Sequence, residues 1–322
     1  MTQILAAPDG HSIFMISWLP DDAPLVGILQ ISHGMAEHCL RYKALASHLS
    51  RHGIGVCTHD HRGHGRSVQG DEAFGHYADR DGWAKVVADL HQVNQHIHQA
   101  HPGVPIMMLG HSMGSFIQRA YLLQHGNTLQ GAIISSTGIH YGIVAKLAGA
   151  VAKWDARRIG LRTPSKLMAK LSFGAFNLQF MPSRTAFDWL SRDPAQVDAY
   201  LADPFCGFDC SGGLWGDLFE AITLMEHAEA TGLGIPTQLP VLFIAGGRDP
   251  VSMGGRGCKA LRKRYVKAGM QDVDCRIYPG GRHEILNEIN RETVYADITT
   301  WMLAHLASKQ NSAPSTAKLV NA

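Results

Sequence analysis

The stretch MMLGHSMGS, residues 107–115, contains the pattern G-x-S-x-G with Ser112 at its centre. The apolar run at 105–110 predicts a buried strand before the pattern, and the spacing of apolar residues at 116–123 predicts a helix after it. Glycines beside a serine allow a sharp turn from strand to helix. Such a turn lifts the hydroxyl off the sheet edge and aims the free N–H groups of a helix N-terminus at incoming negative charge. The pattern therefore indicates a nucleophilic serine, with an ordinary glycine-rich turn as the structural alternative.

Short apolar runs alternate with helical patterns on both sides of this stretch. Because the runs are continuously apolar, they predict a mostly parallel sheet with helices on both faces, an α/β fold. Two of the strands, 13–19 and 25–32, are expected to be neighbours because a turn-like segment joins them. The predicted strands are 13–19, 25–32, 54–60, 105–110, 129–136, 239–246 and 273–279, and the clearest helices are 83–97, 116–123 and 294–302.

The segment 138–236 interrupts this alternation. It contains aromatic residues, glycines and helical patches but no strong strand. We predict that it is a helical lid inserted between two sheet strands, with 1–137 and 237–307 forming the core. The polar stretch 308–322 is predicted to be a disordered tail.

Composition excludes several classes of protein. The chain has 322 residues, is 45% hydrophobic and carries a formal net charge of +2, so no nucleic acid partner is expected. The six cysteines include no C-x-x-C pair, which favours free thiols over a Cys206–Cys210 bridge. Neither a signal peptide nor an apolar run of membrane-spanning length is recognisable, so a cytoplasmic protein is expected.

Two further motifs supply an acid and a base for Ser112. FIAGGRDPVS (243–252) places Asp249 just past a predicted strand, and IYPGGRHEILNE (277–288) places His283 past the next one. Residues beyond the carboxyl ends of parallel strands share one edge of the sheet, and the chain order Ser, acid, His suits this architecture. The pattern predicts a catalytic triad, although each residue alone could be a turn carboxylate or a solvated loop histidine.

Attack on a carbonyl creates an oxyanion that needs two hydrogen-bond donors. The backbone N–H of Met113, directly after the serine, is the first candidate. The second is the N–H of Met35 in ISHGMAEH (31–38), a loop that follows an early predicted strand.

The run THDHRGHGRS (58–67) raises the question of a metal site. A dinuclear zinc hydrolase would show H-x-H-x-D-H, but Gly63 stands at the aspartate position and cannot ligate through a side chain. We predict no catalytic metal and no cofactor. Arg62 and His64 are expected to hydrogen-bond within this loop.

Taken together, HGMAEHCLRY, HDHRGHGRS, GHSMGS, YLADPF, GGRDPVS and YPGGRHEILNE resemble the monoacylglycerol lipase and lysophospholipase branch of the α/β-hydrolase fold, also known as serine aminopeptidase S33-type hydrolases. The motifs stand in the family's order from residue 31 to 288; Phe205 replaces the family's usual leucine. The resemblance implies the triad, the two oxyanion donors and the lid named above. We assign substrate contacts to the side chains of His33, His111, Phe173, Phe176 and Phe180.

The expected function is a serine carboxylic ester hydrolase acting through an acyl-enzyme on monoacylglycerols, lysophospholipids or similar hydrophobic esters, with transient contact to a membrane surface. One alternative is an aminopeptidase of the same fold, which would use acidic lid residues such as Glu220, Glu226 or Glu229 to hold an amine. Another is a catalytically silent ligand-binding protein. Ser112 excludes the aspartate nucleophile of dehalogenases and epoxide hydrolases. Acyl length, head group and oligomeric state stay open.

Overall fold

The computed structural model describes residues 1–70, 72–139 and 142–310. Across these residues, eight strands form one sheet in the order β1-β2-β4-β3-β5-β6-β7-β8. Strand β2 pairs antiparallel with β1 and β4, and all other neighbours are parallel. The strands are β1 (Thr2–Ala6), β2 (Ser12–Trp18), β3 (Gly27–Ser32), β4 (Ile54–His59), β5 (Ile106–His111), β6 (Gly131–Ser135), β7 (Val241–Gly246) and β8 (Val273–Tyr278).

The expected pairing of the strands near 13–19 and 25–32 is wrong, because β4 lies between β2 and β3. Both edges of β3 are occupied by parallel partners, β4 on one side and β5 on the other. No edge is then left for β2, which pairs with β4 instead. Strand β1 was not predicted from the sequence, because it is a half-exposed edge strand with few apolar residues.

Helices cover both faces of the sheet. One hydrophobic core contains residues of the helices Gly82–Ala100, Met113–His125, Gly212–Thr231 and Arg256–Lys267, and a second core on the other face contains residues of the helices Lys43–Ser50 and Arg291–Gln310. This two-sided burial explains why the strands are continuously apolar. The helices outside the β6–β7 connection are α1 (Lys43–Ser50), α2 (Gly82–Ala100), α3 (Met113–His125), α9 (Arg256–Lys267) and α10 (Arg291–Gln310).

The connection from β6 to β7, here called the insertion, is helical in the region predicted for the lid. Its helices are α4 (Gly142–Ile159), α5 (Lys166–Ala169), α6 (Ala175–Leu178), α7 (Pro194–Ala202) and α8 (Gly212–Thr231), with a π-helical turn, Lys170–Gly174, between α5 and α6.

The predicted tail and the prediction that no segment crosses a membrane can both be compared with the helices of the structure. Helix α10 extends three residues into the predicted tail, and the rest of that tail, 311–322, lies outside the described residues. Of the helices described, none is both long enough and apolar enough to span a bilayer.

Candidate active site

Ser112 occupies a strained turn between β5 and α3. Its backbone has φ 53° and ψ −120°, a left-handed conformation that L-residues adopt at a cost of about 1–3 kcal/mol. The turn is held by the Ser112 N–H, which donates to the Ser135 carbonyl at 3.0 Å. The Ser115 hydroxyl donates to the Ser112 carbonyl at 2.5 Å. Neighbouring backbone thus keeps the serine at the carboxyl end of β5.

The glycines of the G-x-S-x-G pattern are required by close packing. A Cβ on Gly110 would lie 2.5 Å from the carbonyl oxygen of Gly114. A Cβ on Gly114 would overlap the carbonyl oxygens of Ser32 and His33. The turn can therefore form only because both positions lack a side chain.

The side chains of His283 and Asp249 are in contact. The Nδ1 atom of His283 lies 2.7 Å from Oδ1 of Asp249, and both side chains are buried. The carboxylate is fixed by two backbone donors, the N–H of Val251 at 3.0 Å and the N–H of Ser252 at 3.2 Å. This arrangement favours the tautomer in which Nδ1 carries the proton and Nε2 is free to accept one.

The imidazole of His283 is held between two aromatic rings. The His111 ring lies on one side at a centroid distance of 4.8 Å, and the indole of Trp189 lies at 4.8 Å as well. The backbone is also fixed, since the His283 N–H donates to the Trp189 carbonyl at 3.2 Å. Trp189 was not predicted from the sequence, because it lies in the insertion and belongs to no motif.

His111 brings the serine and the histidine together. It directly precedes Ser112 in the chain, and its ring contacts that of His283. Burial, with a further contribution from nearby His283, lowers the pKa of His111 to about 4. The ring of His111 is therefore neutral at pH 7 and places no positive charge beside His283.

The loop after β3 lies against Ser112. A Cβ on Gly34 would be 3.4 Å from Cβ of Ser112, so the backbone next to Met35 is adjacent to the serine. Among the described residues, neither the Met35 N–H nor the Met113 N–H donates to a protein acceptor. Both N–H groups are therefore free to donate to another acceptor.

A buried charge network joins this loop to the histidine loop. Arg41 donates to Glu37 at 2.7 Å and to both carboxylate oxygens of Glu284 at 2.5 and 2.7 Å. Glu37 in turn accepts from the Gly34 N–H at 2.5 Å. Burial alone would raise the pKa of Glu284, but the Arg41 guanidinium outweighs it and the pKa is lowered. The i,i+4 spacing of Glu37 and Arg41 is the signal in the sequence from which this ion pair could be predicted.

The histidine-rich run 58–67 packs beneath the site. His59, His61 and His64 are fully buried, and no three donor atoms of this run lie within 4.8 Å of one another in the part of the chain described. His61 bonds Ser32 at 3.0 Å, and His64 Nδ1 bonds the Arg62 carbonyl at 2.9 Å, within the loop as predicted.

Two neighbouring side chains do not behave as the sequence suggested. The Arg62 guanidinium leaves the 58–67 loop to pair with Asp9 and Asp89, because those carboxylates neutralise it in a buried position. Both ring nitrogens of His33 are used inside the protein, by the Gly34 carbonyl and the His61 N–H. His33 therefore holds the loop after β3. Because neither ring nitrogen is free, His33 does not offer a hydrogen bond to a substrate.

The three phenylalanines assigned to the substrate pocket lie in one aromatic cluster of the insertion. Phe173 and Phe176 are half-buried against Trp189 at centroid distances of 5.6 and 5.1 Å. Phe180 is buried beneath the guanidinium of Arg282, at 4.4 Å from its ring centroid. Through Trp189, this cluster contacts the ring of His283.

Comparison with known proteins places the chain in a family. A family described as serine aminopeptidase, S33 (Hydrolase_4) matches residues 23–290. The chain belongs to this family. It is 31% identical to a monoacylglycerol lipase of Mycolicibacterium smegmatis, over 94% of this chain and 96% of the relative. It is 27% identical to the human monoglyceride lipase, over 96% of this chain and 93% of the relative.

A solved structure extends the likeness to the whole fold. A thermostable carboxyl esterase of Bacillus coagulans, in complex with glycerol, is 27% identical, with a TM-score of 0.86 over 95% of this chain and 98% of the other. The family resemblance, the α/β-hydrolase fold and the class of carboxylic ester hydrolase predicted from the sequence are confirmed.

Proposed function

We propose that the chain hydrolyses monoacylglycerols and related single-chain lipid esters, such as lysophospholipids, through an acyl-enzyme on Ser112. The observation that supports this most is the buried His283–Asp249 pair, 2.7 Å apart, beside the strained serine turn. His111 bridges the two parts of the site, because it precedes the serine in the chain and contacts the ring of His283.

In the proposed reaction, Nε2 of His283 takes the proton of the Ser112 hydroxyl as the oxygen attacks the ester carbonyl. Asp249 keeps the imidazole oriented and stabilises its charged form. The N–H groups of Met35 and Met113 donate to the oxyanion, and His283 then protonates the leaving alcohol. Water repeats the sequence on the acyl-enzyme and releases the fatty acid.

The substrate class rests on the relatives and on the insertion. Two of the relatives are named as lipases of monoacylglycerols, and the structural neighbour binds glycerol. We infer that the insertion is the lid and that Phe173 and Phe176 contact the acyl chain. Apolar side chains of α4 face solvent, namely Ile143, Val144 and Leu147, and these suit brief contact with a lipid surface.

The aminopeptidase alternative is less well supported by the insertion. Glu229 is buried in a bidentate pair with Arg119, so its charge is already neutralised. Glu220 pairs with Lys153 on the surface at 2.6 Å. Glu226 is the remaining candidate, and among the residues that the structure describes no hydrogen bond or ion pair joins its side chain to Ser112. The silent binding protein is disfavoured because the residues of the triad are all present.

The nucleophile is tested with Ser112→Ala. The variant should fold like the wild type and lose labelling by a fluorophosphonate probe. Its rate of ester hydrolysis should fall by about six orders of magnitude, because triad residues act as a unit. Ser183→Ala, a half-buried serine of the insertion, is the matched control and should keep both properties. Turnover of Ser112→Ala near the wild-type rate would refute the mechanism.

The acyl pocket is tested with a series of monoacylglycerols of increasing chain length. We expect kcat/KM to rise while each added CH₂ is buried, with about 0.8 kcal/mol available per group, and to fall once the pocket is full. Phe176→Ser should weaken long esters more than acetate esters. Phe187→Ser is the control, because Phe187 packs on Tyr200 in the same cluster at 5.1 Å. Equal losses on short and long esters would show that Phe176 supports the insertion and not the ligand.

A further inference from the structure

A group of three metal-binding side chains lies outside the catalytic machinery. His38, Asp203 and Cys206 each offer one donor atom, and these atoms lie within 4.8 Å of one another. The donors are an imidazole nitrogen, a carboxylate oxygen and a thiol sulfur. We propose that they form a site for a zinc-like divalent cation, with water as the fourth ligand.

The local backbone holds two of the donors on the same side of a turn. The N–H of Cys206 donates to the Asp203 carbonyl at 3.0 Å. The N–H of Phe205 donates to Oδ1 of Asp203 at 2.8 Å, which leaves Oδ2 directed at His38 Nε2, 2.9 Å away. Only the sulfur must therefore move appreciably for the three donors to converge.

The distances suit a small cation. Zinc–nitrogen and zinc–sulfur bonds of about 2.0 and 2.3 Å place tetrahedral donors about 3.5 Å apart. Because the donor atoms now lie within 4.8 Å of one another, they must approach by about 1.3 Å at most. His38 is buried while Asp203 is partly exposed, and both line an open surface cleft through which an ion can enter.

The donor types and charges select the cation. Thiolate and imidazole favour zinc and similar soft ions, whereas Mg²⁺ and Ca²⁺ prefer all-oxygen sites. A thiolate and a carboxylate together neutralise two positive charges. Arg41 and Arg66 line the same cleft, but Arg41 is already paired with Glu37 and Glu284. Arg66 remains as a nearby cation that opposes binding.

Metal binding exchanges a proton for the ion. Burial raises the pKa of the Cys206 thiol well above its usual range, so the sulfur is protonated before the metal arrives. The S–H bond breaks, the S–Zn bond forms, and one proton leaves to solvent. His38 binds the ion through Nε2, the atom that faces Asp203.

The site would link the insertion to the loop that carries Met35. His38 ends that loop, whereas Asp203 and Cys206 follow α7. The two segments already meet at the Ala36 carbonyl, which accepts from the Tyr200 hydroxyl at 2.9 Å and from the Gly207 N–H at 3.0 Å. A bound ion would strengthen this contact between the two segments and raise the Tm of the protein, without taking part in ester hydrolysis.

The test uses the full chain, purified without metal and titrated with Co²⁺ and then Zn²⁺. We expect one equivalent of Co²⁺ to give a near-ultraviolet thiolate charge-transfer band that Zn²⁺ removes. Cys206→Ser should abolish the band, and His38→Gln and Asp203→Asn should each weaken binding by about tenfold or more. Cys275→Ser, which removes the other half-buried thiol, is the control and should bind like the wild type.

Thermal melts of the same proteins complete the test. Zn²⁺ should raise the Tm of the wild type and of Cys275→Ser but not that of Cys206→Ser. The proposal is wrong if the wild type shows no band, if the band depends on Cys275, or if Asp203→Asn and His38→Gln bind as tightly as the wild type. Should His38→Gln fail to fold, the comparison of Asp203→Asn and Cys206→Ser with the wild type still decides the question.

Discussion

His59 offers a direct test of how buried histidines control stability in acid. Its ring is fully buried at the end of β4, and neither ring nitrogen has a hydrogen-bond partner among the described residues. Burial lowers its pKa from the ordinary 6.5 to about 4. The unfolded chain therefore binds a proton at a higher pH than the folded protein, and the stability contributed by the neutral ring is lost as the pH falls from about 6.5 toward 4.

The size of the effect follows from these two pKa values. Between pH 7 and pH 5, one histidine shifted from 6.5 to about 4 costs about 1.8 kcal/mol of unfolding free energy. Burial also lowers the pKa values of His64 and His111 to about 4, so the three independent titrations together would cost about 5.5 kcal/mol of unfolding free energy. That loss is comparable to the whole stability of many domains.

The perturbation is His59→Leu, which removes the titrating ring with little change in volume. Urea denaturation at pH 7, 6 and 5 should show the variant losing about 1.8 kcal/mol less than the wild type over this range. His227→Leu, at an exposed position of α8, is the control and should lose as much as the wild type. Identical losses in wild type and His59→Leu would refute the reasoning, because the buried ring would then contribute nothing to the pH dependence.

Three further predictions concern the buried ion pair of Arg119 and Glu229, the turn at Ser112, and the dependence of ester hydrolysis on metal. Glu229→Gln should lower the free energy of unfolding, measured in urea, by about 3–5 kcal/mol, because Arg119 would remain charged and buried. Glu220→Gln, at the exposed pair with Lys153, should lower it by less than about 1 kcal/mol. Gly114→Ala should abolish hydrolysis or folding, since its Cβ would overlap the Ser32 carbonyl; activity and circular dichroism near wild type would contradict the packing argument. Dialysis against a strong chelator should leave ester hydrolysis unchanged, and a loss restored by zinc would revive a catalytic metal.

Local patterns were enough to predict the elements that carry the chemistry. The strand, serine turn and helix at 105–123 are specified by apolar runs and two obligatory glycines, all within about twenty residues. Asp249 and His283 were predictable because each follows a buried strand, and parallel strands bring their carboxyl ends to one edge. The sequence by itself therefore determined the fold class, the order of the chemical groups and the edge of the sheet on which they lie.

Tertiary structure decided which distant groups hold the site in place. Trp189 packs on His283, and Arg41 joins Glu37 to Glu284, through contacts between residues far apart in the chain. The strand order β2-β4-β3 and the pairing of Arg62 with Asp89 could likewise not be predicted from the sequence. Such contacts depend on strand register, helix packing and burial of charge, and none of these leaves a periodic trace in the sequence. Local chemistry thus specifies the reacting groups, whereas long-range packing fixes their distances and sets the pKa values around them.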